Sequence, residues 1–271
     1  MTEVPKIVAV VLEEYQELVN AYIPNILEGL YLHGSIALNA FEAKRSDIDF
    51  ISVTNRHLSA DEADLLSKIH SDIARKYKTP EMDGVYMIWE DIGKMKDDNQ
   101  SYVSYNSGRL HYGPYFNCNP VTWTLLAQNG IRILGPGVSE FELDISAKLL
   151  QSYVVGNMNT YWIRRIEWLE SSFDTLMEMS FEEIQEEVEW TVLGLLRQYI
   201  TLMECKIVSK INAGEYGLEH MPKEYLMIIK EAMNARTREK ESLMSSNRER
   251  LESTLAFSNY VVEYCNRTFI I

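Results

Sequence analysis

The hydrophobic period of this chain of 271 residues changes once, and that change limits the possible folds more than any other feature. Before about residue 147, short β-prone runs alternate with stretches of helical spacing. After it, the apolar residues keep helical spacing to the end. Alternation calls for a sheet covered by helices, whereas unbroken helical spacing calls for a bundle. We therefore expect an α/β (α+β) N-terminal domain with a mixed sheet over residues 1–150, followed by an all-α helical bundle over 151–271.

Val8, Val11, Tyr15, Leu18 and Tyr22 recur at three and four, which predicts a helix over about 6–29. Leu30-Tyr31-Leu32 reads as a strand closing at His33-Gly34-Ser35, with a helix-compatible stretch over 36–41. Ile48–Val53 is a second strand candidate. Ser59 with Glu62 three residues on has the pattern of a helix start, and Leu65, Leu66, Ile69 and Ile73 supply the apolar face. Asp83–Trp89 is a third strand candidate. Residues 92–120 read as irregular and aromatic, either a loop packed by its own rings or a ligand wall. A helix over about 120–129 precedes the break at Gly135-Pro136-Gly137.

Charge narrows the classes of partner. Lys and Arg total 26 against 40 Asp and Glu, a formal net charge of −14. Such a surface repels a phosphate backbone and attracts cations, so nucleic acid is not an expected partner and a cationic small molecule is. Cys118, Cys205 and Cys265 show neither disulfide nor zinc spacing, which suits reduced thiols in the cytoplasm. The first apolar run is too short for a membrane span and meets Glu13-Glu14 too early for a signal peptide. We expect a cytoplasmic monomer with no membrane partner.

The chemistry lies in Gly34-Ser35 and, after eleven intervening residues, Asp47-Ile48-Asp49-Phe50. In a strand, Asp47 and Asp49 share one face while Ile48 and Phe50 share the other. Two carboxylates side by side repel, and a divalent cation relieves that repulsion. Mg²⁺ suits one or two carboxylates with water and phosphate completing its shell. Gly34 permits close backbone approach, and a helix starting at Ser35 would face an anion with its free N–H groups. Ser35 and Ser46 are either phosphate donors or turn residues. Taken alone, an Asp-x-Asp is an ordinary strand edge; the order strand, Gly-Ser, helix, strand sets this one apart.

That order resembles the signature of the nucleotidyltransferase superfamily of DNA polymerase β type. The resemblance implies a third carboxylate on a neighbouring strand, and Asp83 is the candidate. Tyr31-Leu32-His33-Gly34-Ser35 with Arg45-Ser46-Asp47-Ile48-Asp49 resembles, more narrowly, the aminoglycoside 3″/9 adenylyltransferases, which modify streptomycin and spectinomycin. There the third carboxylate is Glu; Asp83 is one methylene shorter. Leu110-His111-Tyr112-Gly113-Pro114-Tyr115 is similar to a family stretch ending in a drug-stacking Trp, which puts Tyr115 in that role. Thr191–Tyr199 resembles the helix whose Arg reaches the triphosphate, here Arg197. Ser209-Lys210 resembles a Ser-Lys pair with Lys on phosphate, and Met221-Pro222-Lys223-Glu224-Tyr225 resembles the segment that follows. The same alignment puts Glu187 where the family has an acidic drug-binding residue and Glu183 near another. On residue type alone, Arg197 and Lys210 are as well read as helix-flank and surface charges. The glutamates of 181–190 likewise suit a solvated helix face. The motifs span about 30–235. The basic stretch beyond 236 (Arg236, Arg238, Lys240, Arg248, Arg250) is largely neutralised by Glu239, Glu241 and Glu249, and has no counterpart among them.

The resemblance implies a reaction. A drug hydroxyl attacks the α-phosphate of ATP, giving an AMP ester and pyrophosphate. Asp47 and Asp49 hold Mg²⁺, in one or two ions, and Asp83 is base or second metal ligand. Gly34, Ser35, Ser46, Arg197 and Lys210 contact the nucleotide, while Tyr115, Glu183 and Glu187 contact the acceptor. A nucleotidyltransferase acting on another acceptor (protein, RNA or a different small molecule) and a non-catalytic nucleotide-binding relative are the alternatives.

Overall fold

A computed structural model describes residues 3–238 and 242–269. The chain divides into two compact units, Met1–Ile145 and Ser146–Ile271. Ser146 opens the second unit by capping its first helix, its side chain accepting the Leu149 N–H.

In unit 1, α1 (Lys6–Tyr22) buries Val8, Val11, Leu12, Tyr15 and Val19 on one face. It stops at Tyr22 rather than near residue 29. Pro24 disfavours helical geometry at the residue before it, and Asn25 turns the chain with φ 62°. β1 (Leu27–Leu32), the single turn α2 (Gly34–Ala37), β2 (Ile48–Thr54), α3 (Ala60–Lys76) and β3 (Met82–Met87) follow. Ser59 and Glu62 form the expected capping box at the start of α3. β4 (Tyr102–Asn106), β5 (Arg109–Gly113), α4 (Pro120–Asn129) and β6 (Ile131–Leu134) complete the unit.

The sheet is mixed, in the order β5-β4-β3-β2-β1-β6. β2 and β3 are parallel, and the other neighbours are antiparallel. Strand alternation sorts its side chains into two cores. Leu30, Leu32, Ile48 and Phe50 pack under α1 and α3. Tyr31, Ile51, Val53, Val85 and Met87 pack on the opposite face with Trp123 and Leu126 of α4. The β4–β5 hairpin corrects the reading of 92–120 as irregular. Ser107 (φ 49°) and Gly108 (φ 71°) make its two-residue turn, the geometry that matches strand twist.

Unit 2 has helices and no strand among its described residues. α5 (Ala147–Asn157) passes through a widened π turn, Met158–Trp162, into α6 (Ile163–Ser171). α7 (Phe173–Met177) precedes α8 (Phe181–Val188), which runs through a second π turn, Glu189–Leu193, into α9 (Gly194–Glu204). α10 (Lys210–His220), α11 (Leu226–Thr237) and α12 (Asn247–Thr268) complete the unit. A buried ion pair, Glu231 with Arg250 at 2.8 Å, ties α11 to α12, and Gln185 of α8 donates to the same Glu231 oxygen at 2.6 Å. The basic stretch after 236 is therefore part of the bundle rather than an appendage. Arg236 and Arg250 are buried and Arg248 pairs with Glu252 at 2.9 Å; Glu239, Lys240 and Glu241 lie outside the described residues.

Candidate active site

The acidic motif is built by two parallel strands in register. Asp49 of β2 lies opposite Asp83 of β3. One step earlier, the Ile48 N–H donates to the Glu81 carbonyl at 2.7 Å, which brings Glu81 beside Asp47. The result is two rungs of carboxylates, Asp47 with Glu81 and Asp49 with Asp83. Glu81 escaped the sequence reading, although Glu81-x-Asp83 repeats the spacing of Asp47-x-Asp49.

Gly34 abuts this ladder from the end of β1. The His33 N–H donates to the Asp49 carbonyl at 3.1 Å, and Gly34 takes φ +60°. A Cβ at Gly34 would overlap the Asp49 carboxylate. Only glycine meets both demands, the left-handed backbone and the close approach. α2 is four residues long, so it supplies little of the helix dipole expected at Ser35. What Ser35 does present is a buried hydroxyl with no hydrogen-bond partner among the described residues. Ser46 takes the turn role: its hydroxyl accepts the Glu42 N–H at 3.1 Å and its own N–H donates to the Glu42 carbonyl at 2.8 Å.

Electrostatics separate the acids. Burial foremost, then the Asp49 charge, pushes Asp83 up to about 7, with Asp47 and Glu81 adding and a hydrogen bond from Asn106 opposing. Asp47 is raised too, by burial and by Glu81. The Asn106 amide donates to Asp83 Oδ2, while Asp83 Oδ1 is buried with no hydrogen-bond partner among the described residues. Nothing in the sequence marked Asn106, which reaches Asp83 only because β4 pairs with β3. Burial drives His33 down to about 4, so it is neutral at physiological pH, as a packing residue should be.

Tyr115 departs from its expected part. It is 4 % exposed in the core beside Cys118 and Trp123, and its hydroxyl accepts from Asn117 at 3.3 Å. A ring so enclosed has no open face for stacking a drug. The exposed rings of that segment are Tyr112 (61 %) and Phe116 (57 %).

Unit 2 holds the other candidates. Glu183 is the closing residue of the α8 capping box, its carboxylate accepting the Ser180 N–H at 2.9 Å and the Ser180 hydroxyl at 2.8 Å. That carboxylate is engaged in starting the helix. Glu187 is held by Arg165, whose Nη2 lies 2.6 Å from both carboxylate oxygens, and by the Thr191 hydroxyl at 2.7 Å. A cationic ligand there would compete with a guanidinium already in place. Arg197 donates from Nε to the Val208 carbonyl at 3.0 Å. Lys210, capped into α10 by Ser209, meets Glu189 Oε1 at 3.0 Å and lies 5.0 Å from the centre of the Trp190 ring. Arg236 reaches the same Glu189 oxygen at 3.2 Å. Glu189 is 4 % exposed, which corrects its placement on a solvated face. It sits in the π turn, where the helix is wound wider than the 3.6 period assumes.

Residues 162–262 match the family described as aminoglycoside adenylyltransferase, C-terminal domain. The match runs well past residue 236, so the basic stretch is part of that domain. No curated protein sequence matches the chain. Among solved structures, one resembling it is spectinomycin adenyltransferase AAD(9) from Enterococcus faecialis, determined with ATP and spectinomycin. It has 17% identity and a TM-score of 0.67, over 94% of this chain and 99% of the other. That likeness establishes the fold, a mixed-sheet unit followed by a helical one. Residues 162–262 thus resemble the C-terminal domain of the aminoglycoside adenylyltransferases, and the chain as a whole shares the fold of AAD(9).

Proposed function

We propose that the chain transfers AMP from ATP to a hydroxyl of an aminoglycoside or aminocyclitol antibiotic of the spectinomycin/streptomycin type, with Mg²⁺ and release of pyrophosphate. The observation that carries this reading is the in-register pair Asp49 and Asp83 against a glycine that cannot bear a side chain. The AAD(9) structure with ATP and spectinomycin supports the choice of co-substrate and acceptor class.

Among the described residues, no three His, Cys, Asp or Glu side chains converge as a ready-made metal site. The donor set nonetheless fits magnesium, which accepts one or two carboxylates and takes its other ligands from water and substrate phosphates. The buried, unpartnered Asp83 Oδ1 is an oxygen awaiting such a partner. Asp47 and Asp49 would hold the ion, which supplies charge neutralisation at the phosphates.

The chain's own residues do the rest. A carboxylate with its proton affinity tuned near neutrality, as at Asp83, accepts the proton of the attacking hydroxyl. The drug oxygen forms a bond to the α-phosphorus. The bond from that phosphorus to the bridging oxygen breaks, and the electron pair leaves with pyrophosphate. Ser35 donates its unpartnered hydroxyl to a phosphate oxygen. Arg197 and Lys210 balance the charge of the departing pyrophosphate.

The test is mass spectrometry of spectinomycin, streptomycin and other aminoglycosides incubated with protein, ATP and Mg²⁺. A drug gaining one AMP with matching pyrophosphate supports the proposal. Turnover of ATP with no drug product, or no turnover with any drug of the panel, contradicts it.

A further inference from the structure

We propose that Arg236 is a third phosphate-binding cation of the nucleotide site, sharing with Lys210 a buried Glu189 carboxylate that occupies both cations until phosphate arrives. The inference rests on the reading of Lys210 as a triphosphate ligand and extends it to a residue that none of the sequence motifs marked.

Three elements converge here. Lys210 begins α10, Arg236 lies in the last turn of α11, and Glu189 lies in the π turn between α8 and α9. Lys210 Nζ and Arg236 Nη1 meet on one and the same oxygen, Glu189 Oε1, at 3.0 and 3.2 Å. All three side chains are largely withdrawn from water; those of Arg236 and Glu189 are 11% and 5% exposed. Two cations drawn to a single carboxylate oxygen repel one another, and Arg197 adds to the repulsion. Burial foremost, and the charges of Arg236 and Arg197, lower the Lys210 pKa in spite of Glu189. An arriving polyanion relieves that repulsion. Phosphate oxygens suit both partners, an ammonium as a point charge and a planar guanidinium as a fork. Glu189 thus keeps two like charges adjacent until the phosphates replace part of its role.

A purely structural tie between α11 and the π turn predicts something different. Arg236→Gln and Glu189→Gln remove the same ion pair from opposite ends, so a structural tie makes their effects alike. A phosphate site makes them opposite. Losing Arg236 removes a cation from the ligand, whereas losing the Glu189 charge removes a competitor of the ligand.

The experiment is isothermal titration of the full chain with ATP and Mg²⁺, without acceptor, alongside thermal melts. Wild type is compared with Arg236→Gln, Arg236→Lys, Glu189→Gln and Lys210→Gln. The expected results are a Kd about tenfold or more weaker for Arg236→Gln, the scale of one charge-assisted hydrogen bond; partial recovery in Arg236→Lys; and a Kd unchanged or tighter for Glu189→Gln. Glu189→Gln also covers the case in which Arg236→Gln does not fold, since weakening of ATP by the folded Glu189→Gln overturns the proposal by itself. Arg236→Gln binding ATP like wild type, while Lys210→Gln weakens it, overturns this proposal alone. No effect of Lys210→Gln, or no ATP binding by wild type, overturns the triphosphate reading and this proposal with it.

Discussion

Asp83→Asn should make the metal-free protein more stable while removing its activity. In the folded chain, burial and the Asp49 charge opposite raise Asp83 from an ordinary 3.8 to about 7. Between those values the folded state holds a proton that the unfolded state has lost, so stability falls as pH rises through that window. Above about pH 7 the full penalty applies. At about 1.36 kcal/mol for each tenfold change in proton affinity, its ceiling is about 4 kcal/mol, and partial solvent access reduces this to about 1–3 kcal/mol. Asparagine removes the charge and retains an oxygen that can accept from the Asn106 amide. Urea denaturation in chelator at pH 4 and pH 8 reads the difference. The variant should gain stability at pH 8 and almost none at pH 4. An equal gain at both pH values, or none at pH 8, would refute the claim that like charge and burial meet at this position.

Three further outcomes follow from the geometry. Gly34→Ala should cost about 1–3 kcal/mol from the left-handed backbone alone, with a larger loss of turnover because the new Cβ displaces the Asp49 carboxylate; melts and initial rates check this. Arg250→Ala leaves Glu231 buried without its cation and should destabilise by about 3–5 kcal/mol in urea titrations at pH 7. Although burial raises the Glu231 pKa, its hydrogen bonds with the Leu243 N–H, Arg250 and Ser242 outweigh this and hold it below the ordinary 4.5. Its contribution is therefore present above about pH 4.5 and lost as pH falls through the lowered value, so acid titration of the wild type should show that loss. Glu183→Ala removes one half of a capping box and should lower Tm slightly with no change in KM for the drug; a raised KM would restore Glu183 to the acceptor site.

Sequence and structure agree where the deciding physics is local. The Ser59–Glu62 capping box and the alternation Ile48, Asp49, Phe50 each depend on neighbours within a few residues, and the structure keeps both. The same kind of signal, Ser180 three residues before Glu183, could have identified Glu183 as a cap. The hairpin over 102–113 is hard to read because Tyr102, Tyr105 and Tyr112 suit a packed loop as well as a strand, and Ser107-Gly108 is a weaker turn signal than Asn-Gly. Glu189 escapes the helical-face pattern because a π turn breaks the 3.6 period from which faces are read. Its partner Arg236 lies 47 residues away in sequence, and only the packing of α11 brings the two together. Tyr115 followed a local aromatic pattern, yet the core beside α4 encloses it. The third acid was legible by position, but its register with Asp49 and its contact with Asn106 required the sheet.

The central claim is that Asp49 and Asp83, opposite one another on parallel strands, carry the transfer of AMP. Its most direct test is the rate of pyrophosphate release from ATP with Mg²⁺ and spectinomycin, for wild type and for folded Asp49→Asn and Asp83→Asn. The account predicts turnover by wild type and a loss of about a hundredfold or more in each variant, from removing the base at Asp83 and a ligand of the ion at Asp49. A rate equal to wild type in either variant would contradict it.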